Sequence, residues 1–193
     1  GVPEWKQDRR QEDISFLKAS RDVFLSNLGV DFREGGYRAC YLPVKDCIIL
    51  PRAEDFTGAY AYVCTLLHEA GHATGHSSRL DRPMNAPLGS PEYAKEELRA
   101  EIASAFTAQA LGLTLDEGAL AVHIKRHKAY IQSWIAVLEQ DPNQLFAAIK
   151  DADQITDYLM EHGRVLELGR GSEAAYQETR VQQAKEAGEE WEP

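Results

Sequence analysis

Residues 65–80 read Thr65-Leu66-Leu67-His68-Glu69-Ala70-Gly71-His72-Ala73-Thr74-Gly75-His76-Ser77-Ser78-Arg79-Leu80. Val63, Leu66, Leu67 and Ala70 recur at helical period, which predicts a helix over Ala59–Ala73 that stops near Gly75. His68 and His72 lie four residues apart and so stack on one face of that helix, where two imidazoles can meet one metal ion. Glu69 is turned about 100° from His68. From there its carboxylate can take a proton from water activated by the ion without being a ligand itself. His68-Glu69-x-x-His72 is the H-E-x-x-H pattern of zinc hydrolases, and it falls on a helix already predicted from its apolar face.

Such a site needs a third protein ligand. Downstream, Ser90-Pro91 opens a second helix with a serine N-cap, a proline at the first helical position, acids in the first turn and Gly112 past its end. It offers Glu96, Glu97 and Glu101. With Ala94, Leu98, Ile102, Ala105 and Phe106 as the apolar stripe, Glu97 and Glu101 share one flank, while Glu96 points nearly opposite and is expected in solvent. Acids at i, i+4 repel on an exposed helix, so a cation beside Glu97 and Glu101 accounts for the pair. On spacing, either of them can be the third ligand. Zinc is the expectation from ligand type, and two histidines with a glutamate also take manganese, iron or cobalt.

Outward from these helices, residues 8–29 form a first helix with Ile14, Leu17, Phe24 and Leu28 on its stripe, widened by Phe16 and Val23 and stopped by Gly29. Asp31-Phe32-Arg33-Glu34-Gly35-Gly36 is expected to be a turn. Tyr37–Leu42 and Asp46–Leu50 are two short strands, broken by Pro43-Val44-Lys45 and closed by Pro51. Two more helices cover Asp116–Gln140 and Asp141-Pro142 to about Gly163. The predicted class is α+β, mostly helical with a small sheet beside the H-E-x-x-H helix. One domain over 1–163 is expected, followed by a polar, acidic tail over 164–193 that frays.

Composition narrows the function. At 193 residues, 44% hydrophobic and 27% charged, the chain suits one globular domain and argues against wholesale disorder. No apolar run approaches the roughly 20 residues that span a bilayer, and no apolar leader is visible, so no membrane role is expected. Net charge is −10, from 21 basic and 31 acidic residues, the wrong sign for a chain that grips phosphate backbones. Cys40, Cys47 and Cys64 cannot all pair and form no C-x-x-C, which suits reduced thiols in the cytoplasm.

Several residues carry weaker signals. His76 and Tyr93 could donate hydrogen bonds to an oxyanion. His123 and His127 form another i, i+4 pair, but Lys125, Arg126 and Lys128 make that a hydrated basic face. Asp46 either ends a strand beside the cleft or caps a turn, and Cys64, one turn before His68, suits a small core residue.

Two resemblances follow from these motifs. Metzincins place a third histidine six residues after the second, where this chain has Ser78, and His76 comes too early. Glu97-Leu98-Arg99-Ala100-Glu101 instead resembles the gluzincin motif E-x-x-[AS]-D, with Glu for Asp at the last place. That likeness implies Glu97 as the ligand and Glu101 as the hydrogen-bond partner that orients His68 or His72. More extensively, Tyr41, Asp46–Pro51, Phe56, Leu67–Leu80, Tyr93–Ile102 and Ala129–Trp134 occur in that order over about residues 8–162. Together they resemble the zincin-like metallopeptidase domain of ArdC-type antirestriction proteins and of plasmid and phage polyvalent proteins. Ala70 and Ala73 depart from the Leu and Trp usual there, at packing positions. The family's N-terminal single-stranded-DNA-binding domain has no counterpart in these residues, so DNA binding is not carried over. The resemblance implies a zinc-dependent hydrolase acting on a peptide or protein, with Glu69 as general base. It also supports a second reading, a catalytically silent metal-containing module that binds or occludes a partner in antirestriction or DNA protection.

Overall fold

The computed structural model describes residues 4–113 and 134–163, the first ten of these by backbone alone. Helix α1 (Glu4–Leu28) buries Ile14, Leu17, Phe24, Leu25 and Leu28, and Gly29 ends it at φ +65, a left-handed turn for which glycine carries no penalty. Phe16 and Val23 do not widen that stripe; they are exposed, and Arg21 takes the inward place instead. Its guanidinium lies 4.0 Å over the Phe32 ring and donates to the Tyr62 hydroxyl at 3.0 Å.

Residues 31–34, expected as a turn, form strand β1 (Asp31–Glu34). It pairs in parallel with β3 (Cys47–Leu50), Asp31 opposite Cys47 and Glu34 opposite Leu50. On its other side β3 pairs antiparallel with β2 (Cys40–Leu42). The order β1-β3-β2 makes β3 the central strand, and Cys47, Ile48 and Leu50 are buried. The predicted Tyr37–Leu42 strand is shorter, because Tyr37 stands fully exposed in the loop before it.

Helix α2 (Ala59–Ala73) occupies the predicted span and lays Val63, Leu66, Leu67 and Ala70 into the core against β2 and β3. Cys64 is buried, as a small core residue should be. Helix α3 (Pro91–Ala110) starts as predicted: the Ser90 side chain accepts from the Tyr93 backbone N–H at 3.1 Å, and Gly112 follows at φ +70. It packs on both α2 and α4 (Asn143–His162), whose Ala148, Ala152, Ile155 and Leu159 are buried. Gly71 of α2 meets Ala100 of α3, with 3.4 Å between an added Cβ and the Ala100 Cα, so two small residues let these helices approach closely. Residues 134–140 are helical, the end of the predicted Asp116–Gln140 helix. His123, His127, Lys125, Lys128 and the predicted tail over 164–193 lie outside the described residues.

Arg79 joins three segments at one point. It donates to the carbonyls of Ala73 (2.7 Å) and Leu28 (3.3 Å) and pairs with Asp46. Asp46 itself turns the chain between β2 and β3 at φ +45 and accepts from the Tyr41 hydroxyl at 2.7 Å, the turn role rather than the cleft role. No helix among the described residues is long and apolar enough to cross a membrane.

Candidate metal centre

The close contact of α2 and α3 sets the histidines of one helix against the carboxylates of the other. His68 Nε2 and His72 Nε2 lie 3.2 Å apart with their rings nearly perpendicular. Glu97 reaches both, Oε2 to His68 Nε2 at 3.6 Å and Oε1 to His72 Nε2 at 3.4 Å. These three donors form a cluster able to hold a metal ion. A tetrahedral ion with ligands at about 2.0–2.1 Å needs donors about 3.3–3.4 Å apart. The two imidazole nitrogens sit close to that spacing, Glu97 turns one oxygen toward each, and with one donor atom per residue the set lies within 4.8 Å; two imidazoles with a carboxylate are a common donor set for zinc, manganese or iron.

The far side of each imidazole is also occupied. Glu101 Oε2 lies 3.2 Å from His68 Nδ1, one turn beyond Glu97 on the same helix. Glu96 Oε1 lies 3.3 Å from His72 Nδ1. Glu96 is thus not the solvent residue that the apolar stripe suggests: it is 6% exposed. Its position follows from α3 being sandwiched between α2 and α4, so that the buried sector of α3 is far wider than its apolar stripe. Arg82, which the sequence does not single out, donates to Glu96 Oε1 at 2.7 Å and to Oε2 at 3.2 Å. A carboxylate one residue before the first member of an i, i+4 acid pair gives no sequence signal of its own; the basic residue that matches it is separated by fourteen positions.

Charge balance accounts for the titration of the site. Burial disfavours the His68 imidazolium, but hydrogen bonds to Glu101 and Glu97 outweigh it and push its pKa up to about 10. His72 is likewise opposed by burial and raised by Glu96 and Glu97, to about 9. Burial would raise Glu97, yet the two imidazoles hold it well below the usual carboxylate range. Glu96, against the same burial penalty, is lowered by His72 and Arg82.

The centre opens into a cleft of about 1030 Å³. Glu69, 7% exposed, lines it beside His68 and His72, as do Glu97 and Glu101. The opposite lip is the loop and strand from Gly36 to Tyr41, and a second lip carries Pro83, Met84 and Ala86. Tyr93 also lines the cleft. His76 is not brought to it: its Nδ1 lies 2.8 Å from Ser78 Oγ, within the turn after α2.

Comparison with known proteins agrees with this geometry. A family profile described as zincin-like metallopeptidase matches residues 19–151. A DNA primase TraC of Escherichia coli is 38% identical over 154 residues, covering 79% of this chain but 14% of the primase. Protein y4eC of Sinorhizobium fredii (strain NBRC 101917 / NGR234) is 38% identical over 136 residues, 70% of this chain and 42% of y4eC. The crystal structure of the antirestriction protein ArdC from plasmid R388 is similar in both its Mn(II)-bound and metal-free forms. The TM-scores are 0.63 and 0.61 at 38% and 36% identity, covering 74% and 75% of this chain and 51% and 50% of ArdC. The chain therefore spans about half of ArdC and a smaller part of the other two.

Proposed function

This chain belongs to the zincin-like metallopeptidase family, and on that premise we propose that it is a metal-dependent hydrolase domain acting on peptide bonds. His68, His72 and Glu97 hold the ion, zinc by preference of ligand type. The observation that carries this reading is the convergence of those three donors, within 4.8 Å of one another, on a cleft that Glu69 also faces. When bound, a divalent ion supplies Lewis acidity, which makes water a stronger acid and polarises a carbonyl. Glu69 acts as general base, taking the proton from the attacking water and passing it to the leaving amine. Glu101 Oε2, 3.2 Å from His68 Nδ1, is the acceptor that would fix the tautomer leaving Nε2 free for the ion.

The substrate is a peptide or protein in extended form. The strand within the Asp46–Leu50 run is the central one and has both sides taken, so it offers no edge to such a substrate. Of the two edge strands, β2 is the one whose Cys40 and Tyr41 line the cleft, and strand addition there would present a backbone to Glu69. The acidic charge disfavours nucleic acid as a partner of this chain, and three free thiols suit the cytoplasm.

Elemental analysis of wild type, Glu97→Ala and Glu101→Ala, purified without added metal, tests the centre. Near-stoichiometric metal in wild type that disappears in Glu97→Ala supports the assignment; wild type that carries none and gains none on titration overturns it.

A second reading is favoured by the likeness to ArdC, an antirestriction protein solved with Mn(II). In it the domain is a catalytically silent, metal-containing module that occludes a partner. Glu69→Gln separates the two readings, because protection from restriction that survives in that variant requires occlusion rather than turnover.

A further inference from the structure

Glu96 has no place in the ligand set, yet it is buried, and a buried carboxylate is stable only where charged or hydrogen-bonding partners match it. Its partners come from three elements. His72 of α2 meets Oε1 at 3.3 Å, Arg82 of the following segment makes a two-pronged contact, and Arg99 of α3 lies 3.7 Å from Oε2. Arg99 in turn donates to Asp151 of α4 at 2.6 Å. Arg82 is the best-held member. Its Nη1 donates to Thr74 Oγ1 at 2.7 Å and its Nη2 to the Gly71 carbonyl at 2.8 Å, while Thr74 Oγ1 donates to that same carbonyl at 2.7 Å. Gly71 immediately precedes His72, and Thr74 follows it by two. The planar guanidinium therefore grips the final turn of α2 with one side and the carboxylate behind His72 with the other, a geometry that an ammonium cannot reproduce.

We infer that Arg82 and Glu96 are a positioning pair for His72, in which the Arg82 fork fixes the Glu96 carboxylate against Nδ1 and so aims Nε2 at the ion. This rests on the metal reading proposed above. It gives the two histidines different supports: His68 faces Glu101 on the partly exposed cleft wall, and His72 faces a carboxylate that is itself clamped. Arg82 also begins the lip that carries Pro83, Met84 and Ala86, so the clamp ties the aim of a ligand to the wall of the cleft.

The test is the dissociation constant of Mn2+ and of Zn2+, each added alone to purified, folded protein in competition with a chelator. Glu96→Gln and Arg82→Gln should each weaken binding about 10–100-fold. The double variant should be no weaker than the worse single, because both changes remove one interaction. Arg82→Lys, which keeps the charge and loses the fork, should fall between Arg82→Gln and wild type. A purely structural role would lower the melting temperature in chelator and leave the affinity of the folded protein unchanged; that result, in a folded Glu96→Gln, overturns the pair. If Arg82→Gln does not fold, Glu96→Gln and Arg82→Lys decide the matter by the same readings. Wild type that binds neither ion removes the metal reading and the pair together, whereas variants that match a binding wild type remove the pair alone.

Discussion

Helices α2 and α3 supply the two halves of the centre, and they are built in opposite ways. Helix α2 has a broad apolar face of Val63, Leu66, Leu67 and Ala70 buried against the sheet, with His68 and Glu69 beside it. Helix α3 buries Ala100, Ala103, Ser104, Thr107 and Ala108 together with Glu96 and Glu97, because it has a neighbour on each side. The first helix is held by bulk and the second by fit. Carboxylates are tolerated inside α3 because the imidazoles and guanidiniums facing them offset the burial of charge. A helix of this second kind can present acids to a metal only while its partners stay in place.

The sharpest test of the contrast is on the α2 side. Glu69→Gln should lower turnover of a peptide substrate by about 10²–10⁴-fold while metal content stays at the wild-type level, measured by kinetics and elemental analysis on one sample. Retained turnover would remove Glu69 from the mechanism. On the α3 side, Glu101→Ala should weaken metal binding by about 10–100-fold without abolishing it, unlike Glu97→Ala. Equal losses in the two variants would erase the distinction between ligand and orienting partner.

Fit against bulk can be probed directly. Ala100→Leu places a large side chain where Gly71 and α2 make their close approach, and overpacking of this kind costs about 1–3 kcal/mol. Denaturant unfolding should show that loss, and metal affinity should fall with it as the two helices separate. A variant with wild-type stability would mean that the helices have room to spare.

The remaining expectation concerns pH. In the metal-free protein, His68 and His72 titrate at about 10 and about 9 against an ordinary 6.5. Raised values mean that their stabilisation is complete below about 6.5 and is lost as pH rises through 9 to 10. Glu97 is shifted the other way, so its contribution is present above about 4.5 and is lost as pH falls. Melting temperatures in chelator should therefore decline on the alkaline side first at His72, and added metal should flatten that decline by replacing the protons. A decline unaffected by metal would place its origin elsewhere in the molecule.

The sequence makes α2 legible down to its ends, since one apolar stripe and one motif coincide on it. The Ser90 cap and the Glu97–Glu101 register are legible for the same reason, each being local. Glu96 is not, because a hydropathy stripe assumes one packed side and α3 has two; small residues such as Ala100, Ala103 and Ser104 carry burial without looking apolar. Strand β1 escapes for a different cause. Its four residues contribute one inward aromatic, Phe32, and the strand exists because β3 offers a free edge to pair with. Arg82 is legible only in three dimensions, as the partner of an acid not expected to be buried.

Arg79 has a consequence for how the molecule comes apart. Its charge is satisfied only when the end of α1, the end of α2 and the turn at Asp46 are assembled together. Any state in which one of the three has peeled away leaves a buried guanidinium short of partners, which makes partial unfolding there costly. The sheet and the histidine helix should consequently melt in a single cooperative step, and the slowest-exchanging amides of both should report the same opening free energy.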